Sequence, residues 1–282
     1  MGFYEICGYD LPVSVDAGAA VRPLIDGDRT RAVSSGALRE SRNWRKRQWT
    51  GTTIPLATAE GLAVENLLSG LGETWQFDDA DREEYGSKGT GPEAGSAWTR
   101  RTTDPKFGAA CLELASGARF DVVIRDYDPN QQEYTLMAWR RSPTDDDTWD
   151  HYIYTYDNGT DHFWDNGTKD VGTSLATVTV DNLSTGGIRW LGRNDAGSSA
   201  AAYYDNIWMA PFVISDDMAD AFAAETVRFP DSPKLNLNGD FIPDDTDVLV
   251  IPEIASVEQF TGSPGGTFSH TNRVIEFSLD EV

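Results

Sequence analysis

Three features of the sequence predict an antiparallel all-β fold. From Lys106 to Met209, short runs rich in β-branched and aromatic residues follow one another at regular intervals, with no helical period between them. Two of the intervening turns are Asn-Gly pairs, Asn158-Gly159 and Asn166-Gly167, and the type I′ hairpin turn needs positive φ at both central positions. Aromatics reach 11% of the 282 residues, with nine Trp, so a packed core is expected although the apolar fraction is only 39%.

The elements follow in chain order. Pro12–Val15 and Ala20–Ile25 read as short strands, and Asp26-Gly27-Asp28 as a turn. Leu38–Trp49 alternates loosely, with Trp44 and Trp49 as inward anchors. Thr58 is placed to cap a helix with Leu62, Leu67, Leu68 and Leu71 on its apolar face, ended by Gly70 or Gly72. Beyond an acidic, Gly-rich stretch over Arg82–Gly95, the strand candidates are Ala110–Leu114, Phe120–Ile124, Tyr134–Arg141, His151–Tyr156, Asp161–Trp164, Val178–Val180, Gly187–Gly192 and Tyr203–Met209. Ser215 caps a second helix with a stripe of Met218, Ala221, Phe222 and Ala224, and Asp216 and Asp217 suit the positive end of its dipole. Val248–Ile251, Ser256–Phe260 and Asn272–Leu279 close the chain as strands.

Charge divides this chain unevenly. Its 46 acids against 23 bases give −23, which repels phosphate backbones and anionic membrane surfaces, so neither nucleic acid nor membrane insertion is expected. No run of apolar residues is long enough to span a bilayer, and MGFYEICGYD lacks the pattern of a secretory leader. Yet Arg22, Arg29, Arg31, Arg39, Arg42, Arg45, Lys46 and Arg47 fall in one short stretch. The shift in composition marks two units: residues 1–74 together with 226–282, and residues 75–225.

The second unit resembles the laminin-G/concanavalin A-like jelly roll. Phe107–Leu114 is similar to that family's early strand, Tyr134–Arg141 to its central strand, and Tyr203–Met209 followed by Ser215–Met218 to its closing strand and helix. The resemblance implies a concanavalin A-like antiparallel β-sandwich, inserted in or following a smaller β domain with one helix, and often a carbohydrate-binding role. The flanks, Ala32–Gly36, Lys46–Thr53, Leu67–Gly70, Trp75–Phe77 and Asn272–Leu279, resemble tail and virion-attachment proteins of tailed bacteriophages. That likeness implies a structural protein of the virion, a tail-tip or baseplate component or else a capsid decoration or head-fibre protein. Its expected partners are other virion proteins, further copies of itself in a homo-oligomer, and a host-surface glycan. A cellular or secreted lectin-like adhesion module is the alternative.

Catalytic signatures are absent from the sequence. The E-x-D-x-E strand of glucanases on this fold, which puts paired acids on one face, does not occur. Gly-x-Ser-x-Gly, His-Glu-x-x-His and the P-loop are missing too, and no enzyme activity, cofactor or catalytic residue is expected. Cys7 and Cys111 are too far apart in sequence for a Cys-x-x-Cys site and read as buried thiols. His151 and His162 flank the Asn158-Gly159 turn, but two histidines alone do not make a metal site. The loops at Asp78–Asp81, Asp145–Asp147 and Asn238–Asp247 can offer oxygens to a structural calcium ion, without EF-hand spacing.

Aromatics supply the candidate carbohydrate site. Tyr152, Tyr154 and Tyr156 alternate and so share one strand face, with Trp149 and Trp164 beside them. The basic cluster Arg39, Arg42, Arg45, Lys46 and Arg47 is the candidate subunit contact, set against an acidic neighbouring surface.

Overall fold

The computed structural model describes residues 4–14, 20–31, 38–78, 98–115, 120–123, 133–141, 148–157, 160–169, 178–180, 188–191, 201–224, 228–230, 233–239, 248–262 and 270–282. The chain is mostly β, in antiparallel sheets, with two helices among these residues. It divides into two compact units: Met1–Ile6, Asp10–Ser69 and Lys234–Val282 form one, and Cys7–Tyr9 with Gly70–Pro233 the other.

The first unit is built on one sheet. Its strand order is Tyr9–Leu11, Tyr4–Ile6, Leu235–Asn238, Val248–Gly262, His270–Glu281, Leu38–Thr52 and Ala20–Arg31, with Leu56–Ala57 also on His270–Glu281. Alternation buries Tyr4, Ile6, Leu237, Val250, Phe277 and Leu279, each worth about 1.5–3 kcal/mol of apolar transfer. Trp49 lies opposite Leu279 in the ladder and is fully buried. Gly51 lies opposite Phe277 because only a residue without a Cβ leaves room for that ring; a Cβ there would stand 2.7 Å from it. The helix Thr58–Leu68 buries Gly61, Ala63, Val64, Leu67 and Leu68, and Glu65 binds the Arg273 guanidinium.

Several sequence expectations are corrected in this unit. Asp26-Gly27-Asp28 is no turn: Ala20–Arg31 runs through it as one strand, and the ladder absorbs the irregularity as a register shift between Asp26 and Gly27. Pro252 does not split its strand either. Pairing with Leu235–Asn238 ends at Val250, so Pro252 sits where that side is an edge. Thr58 is the first helical residue rather than the cap, and Leu62 is exposed. Gly70, at φ +64, supplies the left-handed residue just after the helix.

The second unit carries the sheet that positions the candidate site. Its order is Thr168–Lys169, Thr160–Asp165, Trp149–Asp157, Glu133–Arg141, Ala202–Ala210, Cys111–Leu114 and Thr99–Arg101, with Glu73–Trp75 also on Ala202–Ala210. A separate sheet orders Val178–Val180, Ile188–Leu191 and Phe120–Val123. Asn166 and Gly167 have φ of 46° and 81° and join Asp165 to its partner Thr168, as the Asn-Gly signal predicts. The helix Asp216–Ala224 buries Met218, Ala219 and Phe222, and the Ser215 hydroxyl accepts from the Met218 N–H at 3.2 Å. Within it, Ala221 and Ala224 lie outside the buried set.

Candidate functional site

The pleat of the second unit's sheet sorts its side chains onto two faces. On one face Trp75, Leu112, Tyr134, Leu136, Tyr154 and Tyr204 belong to a buried apolar cluster. Tyr156 is half-buried and stacks on Tyr134 with 5.3 Å between ring centroids. On the other face, Trp139 stacks on its cross-strand partner His151 at 4.7 Å. The Lys106 ammonium covers the same indole at 4.0 Å, and Trp164 donates to Asp220 of the Asp216–Ala224 helix at 3.0 Å.

The second of these faces is sealed, and its polar groups are matched to the backbone. Asp205 is buried, yet its carboxylate accepts from the N–H groups of Lys106, Phe107 and Asn206 at 2.8, 2.9 and 2.7 Å. Burial nevertheless pushes its pKa up to about 7, against the pull of those donors. Asn206, at φ 44°, exchanges two bonds of 2.7 Å with Phe229, its amide imitating a strand partner. Burial, aided by Lys106, depresses the His151 pKa to about 4, so the ring is neutral at pH 7. Cys111 is buried and its thiol is pushed up to about 12, chiefly by that burial, which keeps it out of nucleophilic chemistry. Every one of these features serves packing.

At the margin of the first face the situation differs. Register puts Tyr152 opposite Ala138 and Asp165, and Phe163 opposite Tyr154. Tyr152 and Phe163 are therefore diagonal neighbours, stacked at 5.3 Å and 29°. The Arg140 guanidinium lies 3.4 Å from the Tyr152 hydroxyl. Asp150 stands opposite Arg140 and accepts from the exposed Asn166 amide at 2.7 Å. Burial raises the pKa of Tyr152 and, with help from Asp150, that of Asp165. Arg140, Asp150, Tyr152, Phe163 and Asp165 are all only partly buried. A half-open aromatic pair flanked by a guanidinium and two carboxylates can stack on an apolar ring face and bond the hydroxyls around it.

The five predicted aromatics do not form one platform. Tyr152 lies in this cluster, Tyr156 is half-buried against Tyr134, and Tyr154 is in the core. Trp164 pairs with Ile153 and is fully buried on the opposite face. Trp149, half-buried, alternates with Asp150 and so also belongs with His151 and Ile153. Alternation that groups the three tyrosines excludes both tryptophans. Arg140, Phe163 and Asp165 were not singled out from the sequence, although the two-residue turn at Asn158-Gly159, by fixing Asp157 opposite Thr160, also sets Asp165 opposite Tyr152. His162 lies opposite Thr155 and His151 opposite Trp139, so the two histidines do not meet.

The basic cluster lies on the strand Leu38–Thr52. The side chains of Arg39, Arg42 and Arg45 are outside the described residues. Lys46 is half-buried. Arg47 is engaged within its own unit, with an ion pair to Glu281 at 3.1 Å and its guanidinium 5.0 Å above Trp49. Of the acidic loops, Asp78 accepts from the Ala109 N–H and pairs with Arg228, while Asp145–Asp147 and residues 240–247 lie outside the described set. Among the described residues no three His, Cys, Asp or Glu side chains gather to hold a metal ion, and no helix is long and apolar enough to cross a membrane. The chain matches no protein-family model, no curated protein and no solved structure.

Proposed function

We propose that this chain is a non-enzymatic structural protein of a tailed-phage virion, a tail-tip or baseplate component, whose second unit is a concanavalin A-like jelly roll that binds host-surface glycan. The observation that carries the binding role is the partly open Tyr152–Phe163 stack with Arg140 at the Tyr152 hydroxyl. Its ligand is a neutral sugar: the aromatic pair takes the C–H face of the ring, the guanidinium donates to hydroxyls, and Asp150 and Asp165 accept from them. A net charge of −23 disfavours polyanionic glycans. The virion role is supported by the two-unit organisation and by the phage-like segments of the flanks.

Two measurements test the reading. Fluorescently labelled protein on an array of bacterial surface polysaccharides should be retained by neutral glycans. Retention by none removes the binding role, and release of reducing ends from a retained glycan overturns the non-enzymatic assignment. Immunogold labelling of particles should decorate the tail; decoration of the head moves the protein to a capsid role, and its absence from every particle removes the virion reading.

A further inference from the structure

The basic stretch forms a distinct element. Residues 22–31 pair with 38–48 in one antiparallel ladder, from Arg22 opposite Gln48 to Arg31 opposite Leu38. The neighbouring strand His270–Glu281 joins Leu38–Thr52 only over Gln48–Thr52. Past Gln48, therefore, the two strands pair only with each other among the described residues, over about 30 Å at ~3.3 Å per residue. A two-stranded ribbon is marginal in water without a third surface against it.

Charge identifies what that surface is. Residues 22–47 hold eight bases and three acids, and the rest of the chain 15 bases and 43 acids. The ladder puts Thr30, Gly27 and Ile25 opposite Arg39, Arg42 and Arg45, so no carboxylate stands directly across from any of the three. Arg29, by contrast, is opposite Glu40, and Arg47 is held by Glu281. The strand on the outer edge, Ala20–Arg31, ends the sheet and contains Pro23, which blunts simple edge-to-edge strand addition. The element is suited to lying against a surface through its charges rather than to extending a sheet.

We infer that this ribbon is a self-association arm, which docks through Arg39, Arg42 and Arg45 on the acidic surface of a second copy of the chain. The acidity of its own remainder is the complement that the sequence supplies, and local pairing of opposite charge offsets the mutual repulsion of two −23 molecules. The inference deepens the assembly role proposed above and rests on it for its setting. Its test needs no particle, so failure of self-association leaves the virion location standing, and absence from particles leaves self-association standing.

Sedimentation velocity of the purified full chain at about physiological salt, where charges are screened beyond about 8 Å, provides the measurement. The wild type should sediment as an oligomer. The triple variant Arg39→Glu, Arg42→Glu, Arg45→Glu should dissociate at least tenfold more readily, with unchanged circular dichroism and melting temperature. The charge-conserving triple Arg39→Lys, Arg42→Lys, Arg45→Lys should assemble like the wild type. A wild type that stays monomeric over the concentration range overturns the inference, as does a Glu variant that assembles with wild-type affinity. Loss of assembly in the folded Lys variant overturns the charge argument.

Discussion

The two faces of the second unit's sheet come from the same strands and alternate residue by residue, yet they are finished differently. The face of Trp139, His151 and Trp164 is closed by the Lys106–Phe107 segment and the Asp216–Ala224 helix, with its buried polar groups bonded to backbone or helix. The face of Tyr152, Phe163 and Arg140 is closed at its centre and left open at its margin. Aromatic content is similar on the two. What separates packing from a candidate site is whether the polar atoms beside the rings are spent internally. Asp205 spends its oxygens on three backbone donors, whereas Arg140, Asp150 and Asp165 lie partly open around the Tyr152–Phe163 pair.

The comparison breaks most visibly at Trp164. Trp164→Ala removes a fully buried ring and its bond to Asp220, and should cost about 3–5 kcal/mol of stability. Urea unfolding checks it; a loss under about 1 kcal/mol means that the face is not sealed as described.

Asp205 gives the next largest effect, and it depends on pH. Asp205→Asn leaves one acceptor oxygen for three backbone N–H groups, so a deficit of about 1–3 kcal/mol is expected. The native pKa of Asp205, about 7, lies above the ordinary carboxylate value of about 3.9. Between these values the folded protein holds more protons than the unfolded chain. That contribution to stability is full below about pH 4 and is lost as pH rises towards 7. His151, held at about 4 against an ordinary value of about 6.5, works in the other direction: its contribution is full above about 6.5 and is lost as pH falls towards 4. The two slopes oppose each other in the wild type over most of this interval. Asp205→Asn removes only the falling one, so its deficit should be largest near pH 4–5 and should narrow towards pH 7. Denaturation midpoints of both proteins at several pH values test this, and parallel curves would show that Asp205 does not titrate in the native state.

Much of this was legible in the sequence, and what was not has a physical reason. The Asn166-Gly167 turn, the Ser215 cap and the strands around Tyr134–Arg141 rest on local geometry that short segments impose by themselves. Asp26-Gly27-Asp28 carries equally good turn chemistry, but twelve residue pairs of the ribbon outweigh it. Burial is not local in this sense. Tyr152, Tyr154 and Tyr156 are identical in sequence terms, and only the neighbours that each one meets leave Tyr154 inside and Tyr152 half-open. Register lay between these extremes: a two-residue turn fixes it, so Phe163 and Asp165 were within reach of the sequence once Asp157 was set opposite Thr160.

The smallest expected change in stability is at the open margin, and there it separates binding from folding. Tyr152→Ala removes a half-buried ring, its stack on Phe163 and a 3.4 Å contact with Arg140. Aromatic pairs of this kind contribute about 0.5–1.5 kcal/mol beyond their buried area, so the variant should unfold within about 2 kcal/mol of the wild type. Its retention by a neutral glycan should nevertheless fall at least tenfold, because the ring is the surface on which the sugar stacks. Trp164→Ala supplies the converse, a large loss of stability with affinity kept in the fraction that remains folded. Equilibrium binding and urea unfolding of both variants measure the two effects side by side. If Tyr152→Ala binds as the wild type does, the open margin is only unfinished packing, and the difference between the faces has no consequence for a ligand.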